Sequence, residues 1–84
     1  MTDQEIIDLI NTTLANEFEL NIDDMVPGAV LKDDLGLDSL DRVDMVIVLE
    51  RAFNFKIREE EAVRKIYTLS DIHNFVINKK RELE

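Results

Sequence analysis

The residues that turn a backbone most readily are scarce in this chain and confined to one stretch. Its only proline and its two glycines, Pro27, Gly28 and Gly36, all fall between positions 27 and 36. Strands joined by hairpins depend on glycine-rich reversals. With so few in 84 residues, a sheet is disfavoured and helices around one irregular stretch remain. Hydrophobic residues make up 45% of the chain, enough for a core rather than a disordered coil. The length suits one small domain, residues 1–84.

The helices can be placed by spacing. Thr2-Asp3-Gln4-Glu5 reads as a capping box, and Ile6, Ile10, Leu14 and Phe18 recur every four residues, with Ile7 beside them. This predicts a first helix over 3–18. From Glu19 to Asp38 the periodicity disappears, although Ile22, Met25, Val26, Val30, Leu31, Leu35 and Leu37 stay apolar. A loop so long in so small a domain would usually count against the assignment, but its apolar residues point to a loop pinned across the helices. A short helical turn fits either near Asp23 to Val26 or near Leu31 to Leu35. A second helix is expected from 39 to about 53.

Past Asn54 a connector tucks Phe55 and Ile57 inward. Glu59 to Lys65 reads as a short third helix, acids first and bases last, with Val63 and Ile66 as its apolar contacts. Thr68-Leu69-Ser70-Asp71 offers a cap for a fourth helix running to about Arg81, with Leu69, Ile72, Phe75 and Val76 inward. The expected fold is all-α: a small four-helix bundle, three longer helices and one short, with a long loop between the first two.

Two apolar stripes run along the second helix at 100° per residue. Met45, Val46, Leu49 and Phe53 form one; Leu40, Val43 and Ile47 form the other, bordered by Asp44 and Arg51, with Glu50 at its far edge. A bundle needs one stripe for its core. The second either faces a partner or makes this helix central, buried on two sides.

Charge limits the partners. The net charge is −9, and residues 1–50 carry 13 of the 19 acids against Lys32 and Arg42 alone. Nucleic acid is disfavoured because phosphate backbones call for basic patches. A basic protein surface would be drawn to the acidic half. The chain has no cysteine, which removes disulfides and thiolate metal sites. No apolar run approaches a membrane span and no signal pattern opens the chain, so a cytoplasmic protein that is not membrane-embedded is expected.

The most specific stretch is Asp34-Leu35-Gly36-Leu37-Asp38-Ser39-Leu40-Asp41, where the loop gives way to the second helix. Gly36 permits a tight backbone. Asp38 or Ser39 can cap the helix. A phosphate on the serine oxygen would meet the positive end of the helix dipole. This run, with Val43, Asp44 and Met45 after it, resembles the attachment motif of acyl carrier proteins. The likeness extends to length, acidity and the order of apolar segments over nearly the whole chain.

The resemblance implies a single acyl carrier domain of the stand-alone bacterial type. In that family Ser39 would carry 4′-phosphopantetheine, taken from coenzyme A by a phosphopantetheinyl transferase (holo-acyl-carrier-protein synthase). It would hold growing acyl chains as thioesters for fatty acid synthesis enzymes and acyltransferases with basic surfaces. Asp38, Leu40, Asp41, Val43, Asp44, Ile47 and Glu50 would form the recognition face, and a monomer is expected. A specialised carrier for polyketide, peptidyl or D-alanyl groups is the alternative. So, from another class, is an unmodified helical interaction module with Ser39 as a mere cap. Arg42 and Arg51 depart from the more acidic helix common in the family, Val30 from its small polar residue, and His73 from its usual aliphatic residue.

Catalysis by the chain itself is not expected. One histidine, His73, makes no triad, and it reads as a partly buried packing residue. Nothing in the sequence marks a base that would activate Ser39. A calcium loop starting at Asp33 fails because Leu35 and Leu37 occupy its third and fifth positions. No specific metal site is therefore expected, only loose divalent binding to Asp34, Asp38, Asp41 and Asp44.

Overall fold

The computed structural model describes residues 1–56 and 64–83. The described residues form three α-helices, α1 (Asp3–Phe18), α2 (Ser39–Phe53) and α3 (Leu69–Leu83), and a 3₁₀ turn at Ile22–Asp24. They hold no β-strand, only one isolated antiparallel bridge between Val30 and Thr68. The fold is an all-helical bundle. α3 is the expected fourth helix; the short helix expected at Glu59 to Lys65, with Val63, falls almost wholly outside the described residues, as does Ile57.

α1 begins as its sequence dictates. The Thr2 hydroxyl accepts the Glu5 N–H at 3.1 Å and the Glu5 carboxylate accepts the Thr2 N–H at 2.8 Å. The bond from the Thr2 N–H, helped by the Thr2 hydroxyl beside the carboxylate, holds the Glu5 carboxyl below its ordinary value. The helix ends at Glu19, which takes the left-handed conformation, φ 55°. Asn54 ends α2 the same way, φ 56°, a residue type that tolerates this region.

The core gathers Ile6, Ile10 and Leu14 from α1, Met45, Leu49 and Phe53 from α2, and Leu69, Ile72, Val76 and Ile77 from α3. Phe55 and Ile66 complete it, the Phe55 ring 5.9 Å from that of Phe53. Phe18, Val46 and Phe75, expected inside, are only half-buried. Ile77 is buried without having been singled out, because it follows His73 at helical spacing on the same inward face.

The irregular stretch is pinned, but not by every apolar residue in it. Met25, Leu31, Leu35 and Leu37 are buried, whereas Ile22 and Val26 are exposed. The 3₁₀ turn explains the correction. Both stretches where the sequence allowed a turn do turn, the earlier as the 3₁₀ helix Ile22–Asp24 and the later through Asp34 N–H donating to the Val30 carbonyl at 2.8 Å. The 3₁₀ helix buries none of its own residues, and Met25, which caps it, faces the core. Backbone bonds then stitch the stretch to the start of α3. Leu31 N–H donates to the Tyr67 carbonyl, Leu69 N–H to that of Ala29, and Ser70 N–H to that of Pro27, each at 2.9 Å.

His73 is buried, 4% exposed, and its Nε2 lies 2.8 Å from Asn11 Oδ1 across the α1–α3 contact. Burial lowers its pKa from the ordinary 6.5. At the far end of the same pair of helices Arg81 reaches Asp3 at 3.0 Å.

Candidate functional site

The approach to α2 is built from the loop upward. Val30 N–H donates to Asp34 Oδ2 at 2.7 Å, Asp34 N–H to the Val30 carbonyl at 2.8 Å, and Leu37 N–H to the Leu31 carbonyl at 2.8 Å. Leu31, Leu35 and Leu37 plug the turn into the core. Gly36 crosses between the last two leucines at φ +71°, a conformation a side chain would strain. The chain then straightens at Asp38, φ −82°, ψ −171°, and enters the helix at Ser39.

Asp38, not Ser39, is the cap. Its Oδ1 accepts the N–H groups of Leu40 at 2.9 Å and Asp41 at 3.0 Å, while Asp41 Oδ2 accepts the Asp38 N–H at 3.1 Å. A helix start leaves four N–H groups over; this box takes three. The fourth is that of Ser39 itself. The Ser39 side chain, relieved of capping, is exposed in the first position of α2. Asp38 therefore also supports the helix, more than the sequence alone suggested.

The remaining expected site residues divide between the face and its edges. Leu40, Val43 and Ile47 are 76, 59 and 44% exposed and share one face over two turns of α2. The second stripe is therefore exposed, and α2 is buried on one side, not two. Asp44 is exposed between them. Asp41 and Glu50 are half-buried, Asp41 turned back into the cap and Glu50 at the far end. There Ile47, Glu50, Arg51, Asn54, Phe55 and Lys56 line a shallow cleft of about 320 Å³.

Arg42 is a neighbour of the site whose surroundings the sequence did not disclose. It is half-buried, with its guanidinium carbon 5.6 Å from the Tyr67 ring centroid. Twenty-five positions separate the two, and Tyr67 is held in place by the backbone bond from the Leu31 N–H to its carbonyl, beside the Val30–Thr68 bridge; no local pattern signals it. Among the described residues no three His, Cys, Asp or Glu side chains gather as a metal site. The carboxylates of Asp34, Asp38 and Asp41 are committed to backbone N–H groups.

The arrangement offers an exposed hydroxyl on a rigid helix start, with an apolar face edged by acids beside it. An attached arm needs that opening, and the residues present fit one. Comparison with known proteins agrees. Residues 8–76 match the family model described as the phosphopantetheine attachment site. Acyl carrier proteins of Thermosynechococcus vestitus, Chlorobium phaeovibrioides and Chlorobium luteolum are each 34% identical over 79 residues. Those residues span 94% of this chain and 96%, 100% and 100% of the relatives. The chain thus belongs to the phosphopantetheine-attachment family of acyl carrier proteins, whose members are carriers and not enzymes.

Proposed function

We propose that Ser39 is the attachment residue and that the chain carries growing acyl groups in fatty acid synthesis. The observation behind this reading is the exposed Ser39 hydroxyl, left unused by a cap that Asp38 supplies instead. A phosphopantetheinyl transferase would join it to 4′-phosphopantetheine from coenzyme A. The attached arm supplies a terminal thiol, which a chain without cysteine lacks. Leu40, Val43 and Ile47, with Asp38, Asp41, Asp44 and Glu50, form the face met by transferase and synthesis enzymes. Exposed apolar residues give contact, and the acids draw basic surfaces. The protein works as a cytoplasmic monomer, and among its described residues no helix is long and apolar enough to cross a membrane.

Intact mass after incubation with coenzyme A and a transferase tests the assignment. The chain should gain one phosphopantetheine, and Ser39→Ala should fold and gain none. Modification surviving that change rules Ser39 out. No gain in the unaltered chain favours the helical interaction module.

A further inference from the structure

The first turn of α2 is already balanced. Asp38 and Asp41 place two carboxylates at the positive end of the helix dipole, where such charge belongs. A phosphodiester on Ser39 would add a third negative charge there, and like charges so close repel. It calls for a cation, and between positions 33 and 50 the chain has only Arg42.

Arg42 is suitably placed. It follows Ser39 by three residues, which puts the pair on one face with Cβ atoms about 5–6 Å apart. Helical side chains lean toward the N-terminus, so its stem is directed back over the first turn. The Tyr67 ring carries its guanidinium, an attraction that leaves the edge donors unspent. Its Nε is buried with no hydrogen-bond partner. It takes part in neither ion pair found among the described residues, Lys79–Glu82 and Arg81–Asp3. A buried N–H without a partner is costly and uncommon, and an arginine fork matches phosphate oxygens.

Resting on the attachment reading, we propose that Arg42, held on Tyr67, is the counter-ion and positioning residue for the phosphodiester at Ser39. A small shift of the side chain turns the orphan donor and its neighbours onto the phosphate. The near end of the arm is then held beside Tyr67 and the start of α3, away from the Leu40–Val43–Ile47 face, which stays open to partners. Tyr67 acts through Arg42 by fixing where the guanidinium lies.

The test compares unloaded and loaded protein by NMR, with loading checked by intact mass. In the loaded form the Arg42 Nε–H should exchange with water about fivefold more slowly, the range of a charge-assisted bond that is partly screened. The ³¹P resonance of the phosphodiester should shift in Arg42→Gln and in Tyr67→Ala, and only part of the way in Arg42→Lys, which keeps charge but not the fork. A merely structural role for Arg42 would move the melting temperature of the unloaded Arg42→Gln protein without touching the ³¹P resonance. Confirmed loading with unchanged Nε–H exchange and an identical ³¹P resonance in Arg42→Gln overturns the proposal alone. Failure to load at all overturns it together with the attachment reading.

Discussion

Two helices of this protein begin with nearly the same four residues. α2 opens on Asp38-Ser39-Leu40-Asp41 and α3 on Thr68-Leu69-Ser70-Asp71. Both close a box between the first and fourth residue: Asp38 with Asp41, and Thr68 with Asp71, whose Oδ2 accepts the Thr68 N–H at 3.0 Å. Between cap and acid the serine and leucine change places. In α3 the leucine comes first and is fully buried, and the serine hydroxyl lies 3.4 Å from that of Thr68. In α2 the serine comes first and both residues are exposed. One position on a helix is 100° of rotation. Capping chemistry alone therefore does not make a site; the order of the two residues after the cap decides which start is displayed and which is packed.

The largest effect should come from the leucines. Leu69→Ala should cost about 2–5 kcal/mol, as core truncations do, and Leu49→Ala a similar amount. Leu40→Ala and Ile47→Ala should cost within about 0.5 kcal/mol yet slow the transferase. Thermal melts paired with modification kinetics read both halves. If Ile47→Ala melts as low as Leu49→Ala and is modified normally when folded, the outer stripe is core and the proposed partner face is wrong.

The caps should separate the starts more finely. Asp38→Ala and Thr68→Ala should each cost about 1 kcal/mol. Only Asp38→Ala should also slow modification, since it loosens the turn that holds Ser39 out. Equal modification rates at equal folded fraction would leave the two starts functionally indistinct.

Acid gives the smallest and most local contrast. His73 has a folded pKa below its ordinary 6.5 because burial disfavours the imidazolium. The unfolded chain thus takes up the proton first. The contribution is intact above about pH 6.5 and is lost as pH falls from there toward the folded value. Asp71, lowered from 3.8 by the Tyr67 and Thr68 N–H bonds, gives way only in a later step at lower pH. Melting temperature should therefore fall in two stages, and His73→Leu should remove the first. A first stage that persists in that variant must be assigned to another group.

Much of this was legible in local pattern. The spacing of Ile6, Ile10 and Leu14, the Thr2–Glu5 box and the inward run of Met45, Leu49 and Phe53 are set by neighbours three or four positions away, and sequence exposes such neighbours. The motif around Ser39 was likewise local. The contacts that escaped join distant segments: Arg42 with Tyr67, His73 with Asn11, Val30 with Thr68. The first and third depend on how the loop crosses the bundle and the second on how α1 packs on α3, and no periodicity encodes either. Ile22 and Val26 misled for a related reason. Their hydrophobicity was visible, but the 3₁₀ turn Ile22–Asp24 buries none of its residues, and Val26 follows the buried Met25 on the outside of the loop.

The bridge between Val30 and Thr68 has a consequence in time. The serine lies early in the chain, yet the backbone bonds that hold its approach come from Tyr67, Leu69 and Ser70. During synthesis those residues emerge about thirty positions later, and a loop of that span closes only at an entropic cost. Until they arrive, the display that a modifying enzyme would read is not assembled. On the attachment reading, an unfinished or misfolded chain should therefore be a poor substrate, and loading would favour molecules whose loop has already closed onto the start of α3.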